Sequence, residues 1–279
     1  MVKKNVLVSP VLKWVGGKRQ LLDNLIPLVP KNYKTYCEPF VGGGALLFKL
    51  QPQVAVVNDI NVDLINVYEV IRDNVVDLIN TLETHENTSM HFYEVRDWDR
   101  NRDFYSKLSK VEKAARTIYL NKTCFNGLFR VNNAGEFNSP FGNYRNPNIV
   151  NAPVLKALNT YFNSVDMELS SGDYKDVLDG LPKNSFVYFD PPYDPVSSTS
   201  NFTGYAKGGF NRDEQIRLRK CCDELNERGI KFMLSNSATD FIKEQYAEYN
   251  ITIVKAKRMV NSVAAKRGDV EEVIVRNYE

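Results

Sequence analysis

Three short apolar runs, each with a polar or charged residue at or directly after its carboxyl end, constrain the fold of this chain more than any other feature. They are Val54 to Ile60 (VAVVNDI), Phe186 to Asp190 (FVYFD) and Lys231 to Leu234 (KFML). Continuous apolar runs of this length are typical of parallel strands that are buried on both faces. The segment from Asn211 to Arg228 is long, charged and free of Pro and Gly, which predicts a helix. Strands that alternate with helices predict an α/β domain with a mainly parallel sheet.

Further elements follow from the same patterns. Tyr36 to Phe40 predicts a short strand that enters a glycine turn, and a helix is expected to start over Ala45 to Leu50. Near the end of the chain, Ile251 to Val254 and Glu272 to Val275 predict a pair of strands. A mobile loop is expected after Tyr193, because serines and glycines are frequent from there to residue 209.

The middle of the chain has a different pattern. From about Leu64 to Cys124 the sequence predicts one helix after another, without a clear strand. Arg130 to Tyr144 is rich in Asn, Gly, Pro and aromatic residues, which indicates a hairpin or an ordered loop. We therefore predict an α/β domain formed by residues 1–63 and 165–279, interrupted by a mostly helical segment over 64–164 with a hairpin near 125–145.

Composition narrows the function only slightly. The chain has 279 residues, of which 43% are hydrophobic, and its 36 basic and 34 acidic residues nearly cancel. A net charge of +2 neither requires nor excludes a nucleic-acid partner. The four cysteines form no CxxC pair and there are two histidines, so we expect reduced thiols and no metal site. No segment approaches the ~20 apolar residues of a membrane span, so we expect a soluble, cytoplasmic protein.

A glycine motif and an acid indicate a site for a nucleotide-like ligand. Gly42-Gly43-Gly44 follows one predicted strand, and Asp59 ends the next. Glycines there allow the backbone to approach a ligand closely, and the carboxylate can accept hydrogen bonds from ribose hydroxyls. The P-loop pattern GxxxxGK[ST] and the dinucleotide pattern GxGxxG are both absent. A cofactor that contains adenosine but no pyrophosphate therefore suits this motif best.

The tetrapeptide Asp190-Pro191-Pro192-Tyr193 follows an apolar strand at the end where open α/β sheets bind their ligands. The two prolines stiffen the turn. Asp190 and the Pro191 carbonyl can then accept two hydrogen bonds from an exocyclic amino group and draw its lone pair out of conjugation. Tyr193 offers a flat face for stacking a base. The alternative is a capped strand end with a proline-rich turn.

Three motifs together resemble a known family. Lys13 to Lys18 (KWVGGK), Glu38 to Gly44 (EPFVGGG) and Asp190 to Tyr193 (DPPY) are similar to the motifs of Dam-type adenine-N6 DNA methyltransferases, in particular the GATC-specific enzymes of the DpnII/MboI restriction systems. The resemblance runs from Lys13 to Tyr278. It implies a Rossmann-like S-adenosylmethionine-dependent methyltransferase fold in which the helical insertion recognises DNA. The absence of a Pro-Cys pair argues against a cytosine C5 methyltransferase.

The resemblance also implies roles for matching residues. Asp190 would bind the target amino group and Tyr193 would stack on an adenine flipped out of the duplex. The residues expected to bind S-adenosylmethionine are Trp14, Lys18, Phe40, Gly42, Gly44, Asp59, Asp173, Tyr174 and Asp190.

Recognition of DNA would fall to the segments Phe125–Arg130 and Pro140–Tyr144. Arg130 is expected to read a guanine through a bidentate contact, unless it forms a surface ion pair. The other residues expected to contact DNA are Lys13, Phe125, Asn126, Leu128, Pro140 and Tyr144, although Phe125 could instead be a core aromatic. Asn143 replaces a basic residue that some relatives carry. The basic stretch from Lys255 to Arg267 could follow phosphates or be a solvated loop, and the basic residues of the insertion are expected to lie mainly on helix surfaces.

These features predict a site-specific enzyme that transfers a methyl group from S-adenosylmethionine to adenine N6 in double-stranded GATC DNA, as part of a restriction-modification system. We expect it to be a monomer in solution, or two copies on DNA. Three alternatives stay open: an amino methyltransferase for cytosine N4, RNA or a protein amide; a catalytically inactive DNA-binding relative; and a nucleotide-binding regulator.

Overall fold

The computed structural model describes residues 4–14, 18–196, 209–257 and 269–279. Gly16 and Gly17, residues 197–208 of the loop expected after Tyr193, and the basic stretch beyond Lys257 therefore lie outside the described residues. A seven-stranded sheet forms the centre of the molecule, in the order β3-β2-β1-β4-β5-β7-β6. Its strands are β1 (Thr35–Glu38), β2 (Val54–Asp59), β3 (Asp166–Ser171), β4 (Ser185–Phe189), β5 (Lys231–Ser237), β6 (Asn250–Lys257) and β7 (Asp269–Arg276).

The sheet is parallel from β3 to β5, and β7 runs antiparallel to both β5 and β6. The three buried runs form β2, β4 and β5, as predicted. The two strands expected near the end of the chain also pair, with Ile251 opposite Val275 and Val254 opposite Glu272. The predicted α/β class with a mainly parallel sheet is confirmed.

The sheet order brings the sequence motifs to one edge. Chain connections from β1 run outward through β2 and β3, whereas those from β4 run to β5 on the other side. The sheet therefore has a switch point between β1 and β4, where open α/β sheets bind ligands beyond the carboxyl ends of the strands. The glycine motif follows β1, Asp59 ends β2 and Asp190 follows β4. Parallel pairing places all three at this crevice.

The described residues also form a series of α-helices. They are α1 (Leu22–Leu25), α2 (Ala45–Leu50), α3 (Val62–Asp73), α4 (Val75–Glu83), α5 (Ser89–Asp97), α6 (Arg102–Lys107), α7 (Lys110–Thr123), α8 (Ala152–Ser164), α9 (Arg212–Glu227) and α10 (Asp240–Gln245). Side-chain caps explain several starts. Asn61 caps α3, Asn211 caps α9, and Ser109 forms a capping box with Glu112 at the start of α7.

Alternate residues of the central strands face two hydrophobic layers. Tyr36, Phe186 and Tyr188 point into a layer that contains α3, α4, α7 and α8. Cys37 and Val187 point to the opposite face, toward α9 and α10. The helical segment therefore shares a continuous core with one face of the sheet. The boundaries at residues 63 and 165 stay predictions.

One basic residue of the insertion is not on a helix surface. Arg116, on α7, is only 3% exposed and forms an ion pair with Asp99 at 2.7 Å. Its guanidinium also donates to the carbonyls of Val95 and Arg96. Because the charge is buried and paired, Arg116 stabilises the packing of α7 against α5 and is unavailable to phosphates. Within the described ranges, no helix combines the length and hydrophobicity needed to cross a membrane.

Candidate active site

An ion pair lies at the centre of the crevice. The Lys18 ammonium is 2.8 Å from Asp190 Oδ1, and both side chains are largely buried. Burial raises the pKa of Asp190 to about 6, although the charge of Lys18 and its hydrogen bond oppose this rise. Asp190 is therefore ionised at neutral pH and loses its charge in mild acid. The Lys18 nitrogen also lies 4.3 Å from the centre of the Tyr193 ring.

Tyr193 is held at its far end by an acid from another strand. Its hydroxyl donates a hydrogen bond of 2.8 Å to the Glu272 carboxylate, on β7. Burial, followed by the nearby negative charges of Asp190 and Glu272, raises the pKa of Tyr193 well above its ordinary value, so the phenol stays neutral. Sequence reasoning missed Glu272. The available signal was the pair of acids, Glu271 and Glu272, that interrupts the apolar run from Val270 to Val275, although the sequence does not say which of them faces the site.

The glycine motif packs against the ring of Trp14. Gly42 and Gly44 have positive φ angles of 47° and 66°, which favour glycine. A Cβ atom at Gly42 would lie 2.9 Å from Trp14 Cδ1, so any side chain there would displace the ring. Asp59 accepts hydrogen bonds of 2.9 Å from the Gly42 and Asn61 N–H groups. The acid thus fixes the glycine turn against the end of β2.

A second wall of the crevice is aromatic. The Phe40 ring lies 5.0 Å from the Tyr174 ring and 5.8 Å from that of Phe210. Arg217, on α9, binds both carboxylate oxygens of Asp173 at 2.8 Å and stacks over Tyr174 at 4.9 Å. The buried Tyr174 hydroxyl has no hydrogen-bond partner among the described residues. The sequence pointed to Phe40, Asp173 and Tyr174, which lie together here, but not to Phe210 and Arg217, which only the approach of α9 brings to this wall.

The segment expected to recognise DNA folds into an irregular hairpin. Antiparallel bridges join Cys124 to Phe141 and Val131 to Phe137. Phe125 is 54% exposed, which argues against a core role, and Pro140 is also exposed. Arg130 is exposed and donates to Asn138 Oδ1 at 2.7 Å, so its described partner is an amide rather than an acid.

Two other residues of this hairpin contact each other. Asn126 has a positive φ of 57°. Its N–H donates to the Tyr144 hydroxyl at 2.9 Å. Leu128 is partly buried. The exposed side chains of the hairpin therefore stand on a backbone that these internal contacts hold in place.

The chain before the crevice is tied to this hairpin. The Trp14 ring stacks on Phe129 with 5.0 Å between centroids. The buried amide of Asn121, at the end of α7, accepts from the Lys13 N–H and donates to the Lys13 carbonyl. It also donates to the Gly127 carbonyl at 3.1 Å. The Lys13 nitrogen lies 5.5 Å from the Tyr144 ring. One short segment therefore carries Trp14 to the crevice and Lys13 to the hairpin.

Fold and site agree on the class of protein, which is an α/β methyltransferase. Residues 14–260 match the model of the D12 class N6 adenine-specific DNA methyltransferases, so the chain belongs to this family and is a DNA adenine methyltransferase. The predicted resemblance to Dam-type enzymes and the predicted enzyme class are confirmed.

Individual relatives agree over nearly the full chain. The type II methyltransferase M1.LlaDCHI of Lactococcus lactis subsp. cremoris is 42% identical over 99% of this chain and 98% of its own length. The type II methyltransferase M.MjaIII of Methanocaldococcus jannaschii is also 42% identical, over 97% of this chain and 99% of its own. The DNA adenine methylase of Escherichia coli K12 is 33% identical over 98% of this chain and 95% of its own.

Proposed function

We propose that this enzyme transfers a methyl group from S-adenosylmethionine to N6 of the adenine in double-stranded GATC, as the modification enzyme of a restriction system. The observation that carries the proposal is the buried Asp190 carboxylate, paired with Lys18 at the carboxyl end of β4 and adjacent to Tyr193. The restriction context is supported by relatives that are named type II methyltransferases.

The residues of the crevice fit this cofactor. The aromatic wall of Phe40, Tyr174 and Phe210 suits a planar adenine, and the unpaired Tyr174 hydroxyl offers a hydrogen bond. Asp59 can accept from ribose hydroxyls with its remaining lone pairs. Gly42 and Gly44 carry no side chain, and a Cβ atom there would collide with Trp14 or Phe48, so only glycine lets the backbone of this turn come close to the cofactor in this proposal. When bound, S-adenosylmethionine supplies an electrophilic methyl group on a sulfonium, and Lys18 would lie near its methionine part.

Asp190 activates the target amino group by accepting a hydrogen bond from one of its N–H groups. The Pro191 carbonyl accepts the other, and the two bonds draw the nitrogen lone pair out of conjugation with the ring. Because Asp190 is ionised above about pH 6, it can also take up the proton that the amino nitrogen releases. Lys18 stabilises the charge of this carboxylate, and the buried position excludes water.

Tyr193 supports the flipped adenine. Its hydroxyl is fixed by Glu272, so the ring is held before the base arrives. Lys18 lies against the ring, and the base would stack on the exposed part of the same side chain. Taking the adenine out of the duplex costs a few kcal/mol. A rigid aromatic platform offsets part of that free energy because it loses little entropy on binding.

The hairpin supplies the sequence specificity in this proposal. The Arg130 guanidinium can exchange its bond to Asn138 for the O6 and N7 atoms of a guanine. Leu128 and Pro140 can contact a thymine methyl group. Phe125, Asn126 and Tyr144, of which the last two are joined by a hydrogen bond, would enter or brace the space left by the flipped base. Lys13 contributes a contact near the first base pair.

Digestion of plasmid DNA tests the proposal. The protein is expressed in a host without GATC methylation, and the plasmid is cut with one nuclease specific for methylated GATC and another specific for unmethylated GATC. We expect cutting by the first and protection from the second. Arg130→Lys keeps the charge but loses the planar fork, so methylation of GATC should fall about tenfold or more. Arg102→Lys, at an exposed position of α6, is the matched control and should behave as wild type.

The opposite digestion pattern, obtained with folded protein, would reject GATC as the target. Sequencing of the plasmid for modified adenines would then identify another recognition sequence. Transfer of labelled methyl groups to RNA or cytosine, with none to adenine in DNA, would reject the whole proposal.

A further inference from the structure

Two fully buried amide side chains flank the backbone of Tyr193. Gln215, on α9, donates a hydrogen bond of 2.8 Å from Nε2 to the Pro192 carbonyl. Asn236, on β5, accepts one of 3.0 Å from the Asp194 N–H. Gln215 is 1% exposed and Asn236 is 0% exposed. Side chains from two elements therefore hold the peptide groups on both sides of Tyr193.

The two amides also contact each other, and their orientations are mutually fixed. Asn236 Oδ1 accepts from the N–H groups of Asp194 and Ser237, so it must be the oxygen. Asn236 Nδ2 then donates to Gln215 Oε1 at 3.0 Å. This leaves Gln215 Nε2 as the donor to the Pro192 carbonyl. Backbone groups at both ends thus impose one direction on the whole network.

This network selects the acceptors that the catalytic turn offers to a substrate. Three oxygen-bearing groups lie in sequence there: the Asp190 carboxylate and the carbonyls of Pro191 and Pro192. Because Gln215 engages the Pro192 carbonyl, that oxygen does not compete for the target amino group. The bond also sets the rotation of the backbone that carries the Tyr193 ring. Ser237 and Thr239 hold Asp194 from the other side, through its carbonyl and its carboxylate.

We propose that Gln215 and Asn236 are positioning residues for methyl transfer, which act by fixing the carbonyl of Pro192 and the backbone of Tyr193. The inference rests on the catalytic role proposed above for Asp190 and Tyr193. Neither amide touches the substrate in this arrangement. Their loss therefore misplaces the reacting groups without removing a binding contact. A misplacement of about 1 Å lowers a rate by about 100-fold, so kcat should fall 10- to 100-fold while the affinities for DNA and cofactor stay within about twofold.

Two substitutions of similar size separate positioning from packing. Gln215→Met removes the hydrogen bonds at nearly constant volume. Gln215→Glu retains them only while the new carboxyl group is protonated, since only then can it donate to the Pro192 carbonyl. The kcat of Gln215→Glu relative to wild type should therefore rise as the pH is lowered from 8 to 6. The same ratio for Gln215→Met should stay low at every pH. Asn184→Asp adds an equal charge at an exposed site before the amino end of β4 and is the control.

Each measurement is made on purified protein with the DNA duplex that the wild type methylates, together with the Tm and the dissociation constants. A kcat within twofold of wild type for both Gln215 variants would overturn the inference. A ratio of kcat for Gln215→Glu to kcat for wild type that does not change with pH would also overturn it. Such a result is expected of a purely structural role, which lowers Tm and this ratio to the same extent at each pH. If Gln215→Met does not fold, the ratio for Gln215→Glu still decides. A wild type that methylates adenine outside GATC would reject only the proposed recognition sequence, whereas one that methylates no DNA adenine would reject both proposals.

Discussion

At the scale of single residues, the charge of Asp190 is set by two neighbours with opposite effects. Burial is the largest cause of its raised pKa, Lys18 lowers this pKa, and Glu272 raises it. Lys18 is 2.8 Å away, whereas Glu272 acts through space from the far end of Tyr193. The carboxylate that receives the substrate in our proposal is thus tuned from both sides of one aromatic ring.

This arrangement predicts opposite shifts in the pH dependence of methylation. In the wild type, kcat should fall about tenfold per pH unit below a midpoint near the Asp190 pKa of about 6, because the protonated acid no longer accepts the amino hydrogen. Lys18→Met should move this midpoint upward, since burial is then unopposed. Glu272→Gln should move it downward, since a like charge is removed. The measurement is kcat against pH at saturating DNA and cofactor.

Lys31→Met, at an exposed position, is the control for the loss of a positive charge and should leave the midpoint unchanged. If the midpoint shifted in the same direction for Lys18→Met and Glu272→Gln, the loss of kcat at low pH could not be assigned to Asp190.

Residues that end a buried strand could be predicted from the sequence, and residues that arrive from distant elements could not. Asp59 and Asp190 close apolar runs, and parallel strands bring such positions to one edge whatever the rest of the chain does. Glu272, Arg217 and Gln215 carry no local motif. Their positions depend on the register of β7 and on how α9 packs on the sheet. The local sequence pattern specifies neither this register nor this packing.

At the scale of elements, the two histidines of the chain meet where α4 passes into α5. His85 Nδ1 lies 2.9 Å from His91 Nε2, and the His85 ring stacks on Tyr119 of α7 at 4.5 Å. Burial, with a smaller contribution from His91, lowers the pKa of His85 to about 4. The neutral ring thus joins three helices of the insertion.

The contribution of His85 to the free energy of unfolding should decrease in mild acid. The unfolded chain binds a proton at His85 below about pH 6.5, whereas the folded protein resists it down to about pH 4. The stabilisation is therefore complete above pH 6.5 and decreases as the pH falls toward 4. Because His85 is only partly buried, we expect a change of about 1–2 kcal/mol rather than the full value of the shift.

His85→Phe keeps the ring against Tyr119 and cannot titrate. Urea unfolding at pH 7 and pH 4.5 should show a loss of stability that is about 1–2 kcal/mol smaller in this variant than in the wild type. Equal losses in the two proteins would show that His85 is not the group responsible.

Element bounds were the most predictable property. The predicted helix from Asn211 to Arg228 is observed as α9, with these two residues as its caps. Ala45 to Leu50 is a helix as expected. The hairpin was less predictable, because its pairing consists of two isolated bridges and side-chain contacts such as Tyr144 with Asn126. Such contacts leave no periodic pattern in the sequence.

At the scale of the whole molecule, the sheet and the helical insertion share hydrophobic contacts. Leu25, Tyr36 and Val57 of the sheet part lie in one cluster with Ile118 and Leu155 of the insertion. If one part unfolded alone, the other would expose its side of this cluster to water. Exposure of apolar surface costs roughly 25 cal/mol per Å² in free energy. The division into two sequence segments therefore does not imply two units of stability.

We predict that the two parts unfold together. Trp14 lies in the sheet part and Trp98 in the insertion, and the chain has no other tryptophan. Because the Trp14 ring stacks on Phe129 of the insertion, the variant Trp98→Phe reports on the contact between the two parts, whereas Trp14→Phe reports on the insertion alone. In each variant, urea unfolding is followed both by tryptophan fluorescence and by circular dichroism. The fluorescence transition should coincide with the circular dichroism transition, which reports the loss of secondary structure. A fluorescence transition that clearly precedes the loss of helix signal in either variant would demonstrate independent unfolding.

The contact between Trp14 and Phe129, together with the Asn121 amide that binds both Lys13 and Gly127, bears on how this enzyme could acquire a new target sequence. If the hairpin reads the target sequence as proposed, it is not exchangeable as a unit, because a graft from another enzyme would break bonds that also hold the crevice in place. The exposed side chains at 125, 130 and 140 are free of this constraint. Divergence of specificity should therefore proceed through point substitutions at these tips, with the buried attachment inherited unchanged.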